Sequence, residues 1–96
     1  MGFVDVTLRL PGPLRELAGG SSTLALALPS GATVRTVLET LAVERPALER
    51  RLCDERGELR RYVNVYVGEE NVRTSGLDTP LPAGAQLLVI PSVAGG

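Results

Sequence analysis

Few residues of this 96-residue chain could do chemistry, and the strongest set stands last: Val93-Ala94-Gly95-Gly96. Glycine carries no Cβ, so a Gly-Gly stub can lie extended in a narrow channel where any side chain would clash. A terminal carboxylate on Gly96, with an ordinary pKa of about 3.5, is an anionic oxygen nucleophile at neutral pH. That suits attack on the α-phosphate of ATP, which yields an acyl-adenylate. Ala18-Gly19-Gly20 repeats the same three letters in the interior. That copy lies between two apolar runs and reads as a hairpin turn. The bland reading of a closing dipeptide is a plain chain end, so the other residues must decide.

Those residues exclude much. There is no His, which removes Ser-His and Cys-His nucleophile pairs and His-ligated metal sites. Cys53 is the single cysteine, so neither an intrachain disulfide nor a CxxC site can form. A reactive thiol wants cationic neighbours, whereas Asp54 and Glu55 follow Cys53 directly. It reads as a half-buried small apolar residue at a helix end. Every basic residue is Arg and none is Lys. A GC-rich genome accounts for that. A sharper reading is that a chain activated at its own C-terminus avoids amines that could capture the acyl group.

Composition is that of an ordinary globular domain, 44% hydrophobic and 22% charged, with room for one core. No apolar run approaches the ~18–20 residues that span a bilayer, and Met1 to Val6 lacks a signal-peptide pattern. The expectation is a cytoplasmic protein with no membrane partner. Net charge is −1. Arg50-Arg51 and Arg60-Arg61 are interleaved with Glu49, Asp54, Glu55 and Glu58. With two Tyr, one Phe and no Trp there is little for base stacking, so nucleic acid is not an expected partner.

The elements that must position the terminus follow from periodicity. Val4, Val6, Leu8 and Leu10 alternate with polar residues, a strand with one buried face. Pro11-Gly12-Pro13 stops it, Leu14 to Ala18 forms a turn-like link, and Gly19-Gly20 reverses the chain. Leu24, Leu26 and Leu28 form a second strand, antiparallel to the first. Thr33 is a good N-cap, and Val34, Val37, Leu38 and Leu41 mark one helical face. Pro46 opens a second helical turn to Leu52. Val63, Val65 and Val67 alternate in a strand, Asn71-Val72-Arg73 is a short extended piece, and residues 74–84 are a loop. Gln86 to Ile90 is apolar on both faces, which predicts a central, buried strand or one with a covered outer face. Two strands, a helix across them, then the remaining strands is the β-grasp order. It is an α+β fold with a mixed sheet of about five strands, the first and last parallel at its centre. The expected organisation is a domain over 1–91 and a flexible diglycine tail over 92–96.

This order resembles the prokaryotic ubiquitin-like sulfur carriers, which include MoaD, ThiS and CysO. Arg61-Tyr62-Val63-Asn64-Val65-Tyr66-Val67, Glu69-Glu70-Asn71-Val72-Arg73 and Pro91-Ser92-Val93-Ala94-Gly95-Gly96 carry the resemblance. It covers essentially the whole chain and is strongest to the CysO-like branch. Ala85 departs from the Gly-Asp pair often found before the last strand, a tolerable turn change. The resemblance implies a carrier rather than an enzyme, with no bound cofactor. A MoeB- or ThiF-like activating enzyme, related to the ubiquitin-activating enzymes, would adenylate Gly96 at the expense of ATP. Sulfide equivalents would then leave a thiocarboxylate. The implied acceptors are a pyridoxal-phosphate (PLP) cysteine synthase, with a zinc protease freeing the cysteine, or a thiosugar or thiazole synthase. Two alternatives remain open: the small subunit of a molybdopterin synthase, and a ubiquitin-like protein modifier.

Residues 92–96 can reach about 17 Å at most, at 3.3–3.6 Å each, enough to enter a partner's active site. With Val63, Val65 and Val67 facing the helix, Tyr62 and Tyr66 face outward, beside Leu88 and Ile90. These four form a candidate docking patch, although aromatic and branched residues also simply favour strands.

Overall fold

The computed structural model describes residues 2–91. β1 (Phe3–Arg9) leads through a short helix α1 (Gly12–Arg15) and a 3-10 turn (Glu16–Ala18) to β2 (Thr23–Pro29). Helices α2 (Val34–Glu44) and α3 (Pro46–Leu52) follow, then β3 (Val63–Val67), β4 (Glu70–Asn71), a one-turn helix α4 (Val72–Ser75) and β5 (Gln86–Pro91). The five strands form one sheet in the order β2-β1-β5-β3-β4. β1 pairs antiparallel with β2 and parallel with β5, and β5 pairs antiparallel with β3. This is the ubiquitin-like β-grasp arrangement, with the parallel β1–β5 pair inside the sheet.

The register follows from the alternation. Val6 and Leu8 of β1, Leu26 and Leu28 of β2, Val63 and Val65 of β3, and Leu87 and Val89 of β5 are all buried. Because side chains alternate with period two, one register places all of them under the helices. From α2 come Val34, Val37, Leu38 and Leu41, all buried, and from α3 Leu48 and Leu52. Thr33 caps α2 reciprocally: its Oγ1 accepts from the Thr36 N–H (3.3 Å), and its own N–H donates to Thr36 Oγ1 (3.0 Å). The cap satisfies two backbone donors that the first helical turn would otherwise leave open.

Turns close where the chemistry predicts. Gly19 and Gly20 adopt φ of 72° and 89°, left-handed values that suit glycine, and carry the chain from the 3-10 turn toward β2. Gly84, at φ 75°, donates its N–H to Asp5 O (2.9 Å), and Thr7 N–H donates to Ala85 O (3.0 Å). The Gly84-Ala85 turn therefore seats β5 against β1 through backbone bonds alone. Ala85 itself is buried.

Three expectations need correction. The link from Leu14 to Ala18 is helical, because Leu14 and Ala18 bury into the core at that spacing. The piece Asn71-Val72-Arg73 is not extended throughout. Asn71 ends β4, and its side chain accepts from the Arg73 N–H (2.9 Å), starting α4, with Val72 buried. The loop from 74 therefore begins inside a helical turn. Finally, β5 lies between β1 and β3 as expected, but its outer face is open: Leu88 and Ile90 expose 40% and 41% of their surface.

Candidate functional site

The hydrophobic pattern fixes where β5 delivers the chain. Leu87 and Val89 point into the core, so Leu88 and Ile90 stand on the opposite face. At its last residue β5 is still paired, with Pro91 opposite Val63. A strand in the middle of the sheet, backed by the buried core, gives whatever follows Pro91 a rigid point of departure. Val93, Ala94, Gly95 and Gly96 lie outside the described residues.

The outer face beside that point can be read from the pairing. One row runs across all five strands: Thr23 opposite Arg9, Arg9 opposite Leu88, Leu88 opposite Tyr66, and Tyr66 opposite Asn71. One step toward Pro91, Ile90 stands opposite Asn64. Residues directly opposite share a face with Cβ atoms about 4.5–5.5 Å apart. Tyr66, Leu88 and Ile90 are thus brought together. Tyr62 lies just before β3, 44% exposed. Exposed apolar side chains grouped in this way are what a partner surface can cover.

Sequence reasoning noted Arg73 only as part of a motif and missed its role. From α4 its guanidinium reaches back to the start of β3. Nη2 donates to Arg60 O (2.5 Å) and to Val63 O (2.6 Å), and Nε to Asn64 Oδ1 (3.4 Å). A planar fork can serve several acceptors at once, which an ammonium does less well. Arg73 therefore holds the Arg60–Asn64 segment, which carries Tyr62 and the residue paired with Pro91. The available signal was an Arg placed two residues after a capping Asn. The loop before β5 is also held. Arg35 Nε and Nη2 contact the two carboxylate oxygens of Asp78 at 2.7 and 3.3 Å, and Arg35 N–H donates to Leu77 O. The hydrogen bond from Arg35 holds the Asp78 carboxyl below its usual range.

Cys53 closes α3 and is more deeply buried than expected, at 1% exposure. Burial foremost, then the charge of Glu49 and a hydrogen bond with it, push its thiol up to about 12. Such a thiol is protonated at neutral pH and a poor nucleophile. Among the described residues no group of three or more His, Cys, Asp and Glu is placed to hold a metal ion. No helix there is long and apolar enough to cross a membrane.

Comparison with known proteins agrees with this geometry. The family model described as "ThiS family" matches residues 8–96. The sulfur carrier protein CysO of Mycobacterium tuberculosis is 36% identical over 96 residues, covering 97% of this chain and all of the relative. The crystal structure of the BexX/CysO complex of Amycolatopsis orientalis contains a chain that superposes with a TM-score of 0.78. It is 36% identical, covering 95% of this chain and 99% of that one. SAMP1 from Haloferax volcanii superposes with a TM-score of 0.79 at 34% identity, covering 96% and 99%. The chain belongs to the ThiS family, within the group of small β-grasp proteins that comprises sulfur carriers and ubiquitin-like modifiers.

Proposed function

We propose that this chain is a sulfur carrier protein acting at Gly96 and is not itself a catalyst. An oxygen of the Gly96 carboxylate attacks the α-phosphate of ATP on a MoeB- or ThiF-like activating enzyme. Pyrophosphate leaves, and the acyl carbon is joined to AMP. A sulfide equivalent then adds to that carbon and AMP departs, leaving a thiocarboxylate. Its sulfur passes to an acceptor held by a second enzyme, a PLP-dependent cysteine synthase or a thiosugar or thiazole synthase. Where cysteine is made on the carrier, a zinc protease frees it. ATP is consumed by the activating enzyme, no cofactor resides on the carrier, and the cytoplasm is the place of action.

The observation that carries this reading is the placement of β5. The central strand β5 ends at Pro91 beside an exposed apolar face, in a chain similar along its length to a sulfur carrier protein. The protonated, buried Cys53 leaves the carboxyl end as the group suited to carry sulfur. The Amycolatopsis relative assembles with BexX, and docking of this chain on an acceptor enzyme is part of the same proposal. Similarity to the small archaeal modifier protein 3 of Haloferax volcanii, 36% identical over 94 residues, favours a second reading as a protein modifier. Intact-mass analysis of the protein purified from its host separates the two. A thiocarboxylate at Gly96 supports the carrier, whereas an isopeptide link to other proteins without thiocarboxylate supports the modifier.

A further inference from the structure

The two edges of the sheet are built differently. β4 is two residues long, carries Glu70 and turns at once into α4, so it offers little to pair with. β2 forms the other edge. It runs seven residues, Thr23 to Pro29, and pairs with β1 in one unbroken register. No residue from Leu17 to Val34 is charged, in a chain that is 22% charged. Charges, prolines, bulges and short length keep exposed edges from pairing, and Thr23 to Leu28 has none of them.

The hydrogen-bond phase shows which groups stand open. Leu10 N–H donates to Ser22 O (2.8 Å) and Ser30 N–H to Gly2 O (3.0 Å). By antiparallel alternation, Leu24, Leu26 and Leu28 turn their N–H and C=O toward β1. Thr23, Ala25 and Ala27 turn theirs away from the sheet, and all three residues are exposed. Leu24, on the core face, is only half-buried.

This edge is complementary to itself. Two copies of β2 laid antiparallel with Ala25 opposite Ala25 set Thr23 opposite Ala27 on either side. These residues all point N–H and C=O at the partner, so each facing pair exchanges both bonds. On the core face Leu24 of one copy comes opposite Leu26 of the other, which covers the rest of Leu24. On the outer face only Thr and Ala meet, and no charge opposes a like charge. A contact in which each residue meets its partner reciprocally closes as a twofold dimer. A second copy supplies this match in full, whereas a foreign strand would have to reproduce it.

We infer that β2 is a homodimerisation edge, through which two copies of this chain join their sheets at Thr23, Ala25 and Ala27. β1 separates this edge from β5. The pairing therefore leaves Tyr66, Leu88 and Ile90 uncovered in both copies, on the same side of the joined sheet. A two-strand contact belongs to the small, weak class of interfaces, so the dimer forms in a concentration-dependent way.

The test is sedimentation equilibrium of the full chain from about 10 µM to about 1 mM, with amide exchange followed by NMR over the same range. Ala25→Lys sets two like charges face to face on the twofold axis. Ala25→Pro removes an N–H that the β1 ladder does not use. Leu88→Lys puts the same charge on the outer face instead, and circular dichroism checks the fold of each. The parent's mass should rise toward two chains and no further. Exchange at Thr23, Ala25 and Ala27 should slow as concentration rises, with Leu24, Leu26 and Leu28 unchanged. Both Ala25 variants should weaken association at least tenfold, while Leu88→Lys associates as the parent does. A parent that stays a single chain up to about 1 mM would overturn the inference. So would growth beyond two chains, or a loss in Leu88→Lys equal to that in Ala25→Lys. Where an Ala25 variant fails to fold, the parent's exchange pattern decides, and exchange at Thr23, Ala25 and Ala27 that ignores concentration refutes the edge.

Discussion

Replacing Ile90 by Asp tests the docking face with little risk to the fold. Ile90 keeps 41% of its surface exposed, and its outward direction leaves the core under Val89 untouched. Burying an Ile side chain completely is worth about 1.5–3 kcal/mol, so a partner covering the remaining two-fifths gains about 1 kcal/mol. Ile90→Ala should therefore weaken binding to the activating enzyme about fivefold. Ile90→Asp adds a carboxylate stripped of water, a penalty of several kcal/mol when unpaired, and should exceed a tenfold loss. Tyr66→Ala, removing the aromatic neighbour of Leu88, should cost about 2 kcal/mol, the usual scale for an interface aromatic. In the free domain, Asp at an exposed strand position costs up to about 1 kcal/mol, so melting temperature is recorded beside calorimetric titration. If Ile90→Asp and Tyr66→Ala both stay folded and bind within twofold of the parent, the patch is ordinary sheet surface. Docking would then belong elsewhere, first on the loop from Thr74 to Gly84 that the Arg35–Asp78 pair holds in place.

Arg73→Ala should lower stability to urea by about 2 kcal/mol, since hydrogen bonds to a charged group are worth about 1.5–3 kcal/mol and the site is partly solvated. Arg73→Lys should recover little of that loss, because one ammonium cannot serve the carbonyls of Arg60 and Val63 and the Asn64 amide together. Cys53→Ala should leave sulfur loading unchanged. It should also flatten an alkaline loss of stability: with the folded thiol raised to about 12 from its ordinary 9.0, folding holds a proton that the unfolded chain releases. The stability so held is complete below pH 9 and declines as pH rises, by about 1.4 kcal/mol at pH 10. Denaturant melts of parent and variant between pH 8 and about 10.5 check the sign. An alkaline slope that persists in Cys53→Ala would assign it to other groups.

How much of this was legible in the sequence depends on whether a residue's partner was local. The strands came from alternation, the cap of α2 from Thr33, and the reversal from Gly19-Gly20, all decided within a few neighbouring residues. The parallel β1–β5 pair was legible only through the order of elements. The outer face of β5 could be read two ways. A run that is apolar on both faces suggests a cover, whereas the phase set by Leu87 and Val89 turns Leu88 and Ile90 outward, and only the layer count shows that no described element lies over them. Arg73 was opaque because its acceptors lie 9 to 13 positions earlier. Two of them are backbone carbonyls, which carry no residue type to read. Cys53 was read as unreactive from Asp54 and Glu55, and the structure adds its burial, which depends on how α3 packs.

The central claim, that sulfur is carried on the carboxyl of Gly96, is tested most directly by loading a truncated chain. Parent and a variant ending at Gly95 are incubated with ATP, sulfide and the cognate activating enzyme, and their intact masses are compared. The described core runs from Val6 to Val89, so both should show the same melting temperature. The parent should gain the mass by which sulfur exceeds oxygen, sensitive to alkylation as a thiocarboxylate is, and the truncated chain should gain nothing. Equal sulfur uptake by both chains, or uptake by the parent that maps to Cys53, would contradict the account.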